Sequence, residues 1–234
     1  MNKKREAVNH IILSAIGMII ILVMAFLPSH DPPVIADSGL FIVGTAFIIV
    51  CSSGFILALK PNLMRQFKWR SGDSIDGVKD RNVKVNFRGH HPDCNRFEVH
   101  TIKINSKVHC AGCTGLAIGS VISIILMSVC LVFQVDMAER TLKLFITGGL
   151  IIIIFNYTET IVTTRIALLH VISNAALITG LFAVVFGTFK LSGSAIYGIF
   201  GIILSLLFLY TRIRLSSWRH SKICDLCSED CRVY

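Results

Sequence analysis

The run Cys110-Ala111-Gly112-Cys113 leads without a break into TGLAIGSVISIILMSVCLVFQV, residues 114–135. That second stretch contains no Asp, Glu, Lys or Arg. About 20 apolar residues in a helix cross the ~30 Å hydrocarbon layer of a bilayer. In lipid the backbone must satisfy its own hydrogen bonds, so the run is read as a transmembrane helix despite its Ile- and Val-rich, strand-like content. Its N-terminal end carries a C-x-x-C pair at the membrane boundary.

Five further apolar runs lie outward from it, at about 8–27, 40–59, 138–156, 166–189 and 195–211. The chain is 53% hydrophobic and only 16% charged, which excludes an ordinary soluble domain. The expected fold is an all-α polytopic membrane protein of six transmembrane helices with a small β-hairpin, Cys/His-rich module. Four regions follow: 1–59 with two helices, 60–113 as the module, 114–211 as a four-helix bundle, and 212–234 as a Cys-rich tail. Span 138–156 has an apolar run only from Leu144 to Phe155, and Gly148-Gly149 breaks it. It reaches full length only if the turn bearing Glu139, Arg140 and Lys143 is helical and those side chains extend to the interface.

Charge sets the orientation. With the N-terminus inside, segments 1–7, 60–113, 157–165 and 212–234 carry 3, 11, 1 and 5 basic residues, 20 of the 23 in the chain. The positive-inside rule then places the module and both termini in the cytoplasm of a multi-pass cell-membrane protein. The net charge of +9 is accounted for by topology. No nucleic-acid motif accompanies it, so no nucleic-acid partner is expected.

Within 60–113, PNLMRQFKWR reads as a short interfacial helix, VKVNF (83–87) as a strand, and 97–104 as a second strand. Asn105-Ser106-Lys107 reads as the turn that returns the chain through Val108 to Cys110. Small residues recur at four-residue spacing: Gly115, Gly119 and Ser123; Ala176, Gly180, Ala183 and Gly187; Ser194, Gly198, Gly201 and Ser205. Such stripes let helices approach closely. Packing within one chain is the simpler expectation, with a homo-oligomer or a membrane-complex partner as the other.

Six of eight cysteines fall in two clusters on the cytoplasmic side, where thiols stay reduced. Clustered Cys and His there point to metal more than to disulfides. In the first cluster, Cys110 and Cys113 on a Gly-containing turn direct two sulfurs to one point. Cys94, with either His91 or His100, would complete a tetrahedral Cys3His zinc site. In the second, His220, Cys224, Cys227 and Cys231 have spacings that suit zinc, with an iron–sulfur cluster as the less favoured cofactor. The two clusters could also form one joint site. A dithiol redox role competes, because a C-x-x-C at a helix start favours thiolate. Cys51 and Cys130 read as apolar packing residues.

One polar stretch, Asn156-Tyr157-Thr158-Glu159, resembles a capping box opening a long helix to about Phe189. On that helix Glu159, Thr163, His170 and Asn174 would share a face. The stripe reads either as a proton or ion path or as a hydrogen-bonded buried face.

The segment GHHPDCNRFEVHTIKINSKVHCAGCTGLAIG (89–119) resembles the motif of a family of small prokaryotic membrane proteins with no assigned activity. Members carry a Cys/His pair, then C-A-x-C-T-G-[IL]-x-x-G leading into a transmembrane helix. The matching residues are His91 and Cys94, then Cys110, Ala111, Cys113, Thr114, Gly115, Leu116 and Gly119. The HHPxC…CAGCTGL form is similar to archaeal members. The resemblance covers about 30 of 234 residues. It carries no activity over and does not extend to the C-terminal cysteines.

No G-x-S-x-G, Walker A or H-E-x-x-H occurs, and no G-x-G-x-x-G follows a strand. The expected function is therefore a membrane protein with a cytoplasmic zinc module, acting as sensor, scaffold or accessory subunit rather than enzyme. A transporter of small solutes or ions, or a thiol or iron–sulfur redox protein, is the alternative.

Overall fold

The computed structural model of the chain describes residues 3–27, 37–60, 87–88, 91–92, 100–104, 107–162 and 166–225. Six helices are long and apolar enough to cross a membrane: α1 (Lys3–Phe26), α2 (Asp37–Leu59), α3 (Ala111–Phe133), α4 (Glu139–Ile161), α5 (Ala167–Ser192) and α6 (Ala195–Asp225). Two short antiparallel pairs precede α3. Strand β1 (Phe87–Arg88) pairs with β2 (His91–Pro92), and β3 (Thr101–Ile104) pairs with β4 (Lys107–Cys110). The second pair is the expected hairpin, with Thr101 opposite Cys110 and Ile104 opposite Lys107. Lys107 belongs to the strand, so the loop is the two residues 105–106, which lie outside the described set. The interfacial helix at PNLMRQFKWR and residues 83–86 of the expected strand also lie outside it.

Helix α5 is the centre of the bundle, packed on α3, α4 and α6. Leu177, Val184, Phe186 and Phe189 fill its surroundings and are fully buried. Glycines allow this close approach. A Cβ at Gly115 would overlap the Val171 carbonyl oxygen, and one at Gly119 would stand 2.5 Å from the Ala175 oxygen. Gly149 and Gly180 face each other across α4 and α5, Gly187 abuts Ile146, and Gly201 abuts Thr188. The expected small-residue stripes therefore pack helices of the same chain. Cys51 and Cys130 are buried among apolar neighbours, as expected.

Successive helices alternate in direction. At one end, Glu6 pairs with Arg214, Lys3 reaches Ser221 and β4 runs into α3. At the other end, Lys190 Nζ donates to Asp136 Oδ1 at 3.2 Å, and Lys143 lies over the Phe26 ring. Helix α4 crosses the full bundle: Ile146 meets Gly187 near one end and Glu159 meets His170 near the other. Glu139 pairs with Lys143 at 2.5 Å, so the charged turn is helical. The described start of the chain, the hairpin and the described end of the chain thus share one end of the bundle.

Two boundaries differ from expectation. Asn156 to Glu159 do not open α5; they belong to the last turns of α4, whose backbone bonding continues to Val162 N–H on the Thr158 oxygen. Asn156 and Glu159 find partners on α5, Tyr157 Oη donates to the Phe208 oxygen on α6, and Thr158 Oγ1 donates to the Ile154 oxygen of its own helix. Asn156 Nδ2 donates to Ser173 Oγ at 2.8 Å. The supposed stripe is thus split between two helices, with Thr163 outside the described residues. The last helix, moreover, does not stop near 211. It runs to Asp225, with Thr211, Leu215, His220 and Cys224 each buried and Arg214 paired with Glu6 on α1. The segment 212–225 is therefore an extension of the span and not a separate tail.

Candidate functional site at the hairpin end of the bundle

Helix α3 begins at the C-x-x-C. Cys110 is its N-cap in extended geometry, and its side chain makes no capping hydrogen bond. Thr114 Oγ1 instead donates back to the Cys110 oxygen at 2.9 Å. Cys113, three residues on, comes round to the same side, and a side-chain hydrogen bond joins it to Cys110. The two are thiols, not a disulfide. Cys110 is 4% exposed; Cys113 is half-buried.

Arg212 of α6 is the residue that reading the sequence missed. Its guanidinium lies over Gly112, where a Cβ would stand 3.2 Å from Nη2 and 3.9 Å from both Asn174 Nδ2 and Cys110 Sγ. It is in electrostatic reach of Cys110, Cys113 and Glu159, and its Nε is enclosed without a hydrogen-bond partner among the described residues. In the sequence Arg212 reads only as one of the positive charges that follow a span. A cation at a helix N-terminus opposes the helix dipole. The arrangement is favourable only where negative charge gathers beside it, and the sulfurs and the Glu159 carboxylate are the groups placed to supply that charge.

A second layer lies against the first. His170 Nδ1 and Glu159 Oε1 are 2.8 Å apart, joining α5 to α4, with both residues at least nine-tenths buried. His100, directly before β3, inserts its ring beside them. Its centroid is 4.7 Å from that of His170, with planes 38° apart, and 5.9 Å from that of His220. His220 and Cys224 occupy successive turns of α6, both buried; His220 Nε2 is 3.5 Å from Ser216 Oγ. Asn174 Nδ2 donates to the His170 carbonyl at 2.6 Å.

The structure thus brings Cys110 to Cys113 and, separately, His100 to His220. The loop cluster and the last helix meet although more than 100 positions separate them. His91 lies in β2 opposite Arg88. Cys94, Cys227 and Cys231 are outside the described residues. Among the described residues, no three His, Cys, Asp or Glu side chains already surround a common point. Compared with protein-family models, curated proteins and solved structures, the chain matches none.

Proposed function

We propose that this chain is a multi-pass membrane protein that holds a zinc–thiolate centre where its hairpin module meets the bundle, on the cytoplasmic face. The centre serves a sensor, scaffold or accessory role. The observation that carries this reading is the Cys110–Cys113 pair at the start of α3 with Arg212 against it. Two thiolates sharing one ion lie about 3.5–4 Å apart, a spacing that a hydrogen-bonded thiol pair approaches. Their charge offsets the ion, and the Glu159 carboxylate offsets the guanidinium. Cys94 remains the natural third ligand, and His100 the natural fourth, since its backbone leads directly into the strand that pairs with Cys110. The positive-inside bias supports the cytoplasmic assignment.

A module of this size has little apolar content, so metal binding would supply part of its folding free energy. The family resemblance over 89–119 agrees with a unit in which these Cys and His positions act together. The test is metal-shielded alkylation. Cys110 and Cys113 should resist maleimide in the purified protein and react after chelation in mild detergent. Reaction rates unchanged by chelation would reject the reading.

A second reading is favoured by one observation. N-cap and third-residue cysteines on a helix, hydrogen-bonded to each other, are also the arrangement of a reactive dithiol. It predicts thiols protected by a mild disulfide oxidant and indifferent to chelator.

A further inference from the structure

The zinc reading leaves the buried Glu159–His170 pair unused. We propose that His170, held by Glu159, is an inner-sphere ligand of the ion bound by Cys110 and Cys113, so that a transmembrane helix contributes directly to the metal centre. This rests on the zinc–thiolate reading and extends its ligand set into the membrane.

The carboxylate accepts from Nδ1 of His170 at 2.8 Å. That bond fixes the tautomer, leaving the lone pair on Nε2. Nε2 is enclosed and has no hydrogen-bond partner among the described residues. A carboxylate behind an imidazole whose other nitrogen is unspent is the arrangement that orients histidines on metals and strengthens them as ligands. Its surroundings match. Two imidazoles on one tetrahedral ion with bonds of ~2.0–2.1 Å have ring centres roughly 5 Å apart. His100 and His170 are at 4.7 Å. The Arg212 guanidinium feels the charge of both halves of the site, Glu159 on one side and the two sulfurs on the other. Asn174, one turn along α5 from His170, lies over Gly112 between the cysteines. Binding requires side-chain movement that brings His170 Nε2 and the sulfurs onto one ion, since among the described residues no three such groups already surround a common point. His170 then takes the position that the zinc–thiolate reading gives to Cys94, and two thiolates with two neutral imidazoles balance a divalent ion of the zinc class.

The probe is cobalt(II), which replaces zinc and reports its ligands by absorption. Purified full-length protein in detergent is titrated with cobalt as wild type, His170→Asn and His170→Cys. The proposal expects tetrahedral cobalt bands in the wild type. Affinity should fall at least ~10-fold in His170→Asn. His170→Cys should recover affinity and gain thiolate-to-cobalt absorption per bound ion. Wild-type spectrum and affinity in His170→Asn would overturn the inference while leaving the zinc–thiolate reading intact. Loss in the Asn variant without added thiolate absorption in the Cys variant would overturn it too, making His170 a structural residue. A wild type without cobalt bands would remove both.

Discussion

Glu159 at the end of α4 and His170 at the start of α5 meet at 2.8 Å in a part of the bundle closed to solvent. The contact ties together two helices joined by a short connection and sets their relative height at the hairpin end. Removing one partner would strand the other in a medium that solvates it poorly.

Glu159→Ala is therefore expected to destabilise the folded bundle by about 1–3 kcal/mol, the range for leaving a buried hydrogen-bonding group unsatisfied. Unfolding of the purified protein in mixed micelles of increasing denaturing-detergent fraction measures it. At the opposite end, Glu139→Gln should cost less than ~1 kcal/mol, because Glu139 is 69% exposed and its pairing with Lys143 is screened. Equal effects at the two sites would contradict the burial assigned to the first.

Glycine packing gives a second contrast. Gly115→Val drives side-chain atoms into the α5 backbone at Val171 and should cost at least ~1–3 kcal/mol. Gly148, in the middle of α4, has open space where a Cβ would go. Gly148→Ala should be neutral or stabilise by up to ~1 kcal/mol through helix propensity. The same unfolding assay ranks them, and a Gly115→Val protein as stable as wild type would show that α3 and α5 are not in contact there.

Orientation has its own measurement. Lys222 is exposed at the hairpin end, and Met137 lies in the connection at the other end. With the module cytoplasmic, a Met137→Cys protein should gain label from a membrane-impermeant maleimide in intact cells. A Lys222→Cys protein should gain it only after lysis. The reverse pattern would invert the topology and place the cysteines in an oxidising compartment, where a disulfide would replace the thiol pair.

Much of this architecture was legible from residue pattern. Six spans follow from apolar length, because a bilayer leaves the backbone few alternatives. The β3–β4 hairpin follows from the turn before Val108. Placing both cysteine clusters at one end follows from the charge bias and an even number of crossings. The rest depended on contacts between helices. Asn156 and Glu159 look like a helix start because their spacing suits a cap, yet Ser173 and His170 offer stronger partners across the α4–α5 interface. The polar stripe was recognised as a set, but on one helix instead of two. Arg212 carried no local signal at all. Nothing in TRIRLSS distinguishes it from Arg214, which pairs with Glu6 on α1. Only the fold places one beside two sulfurs and the other beside a carboxylate.

The central claim is that Cys110 and Cys113 bind metal, and metal content tests it most directly. Purified wild-type protein and a Cys110→Ser/Cys113→Ser variant would be analysed for zinc, iron and acid-labile sulfide after exhaustive dialysis. The account predicts zinc at about one ion per chain in the wild type. The variant should lose that ion while its helical content stays intact. Equal zinc in both proteins, or none in the wild type with all thiols still titratable, would contradict it.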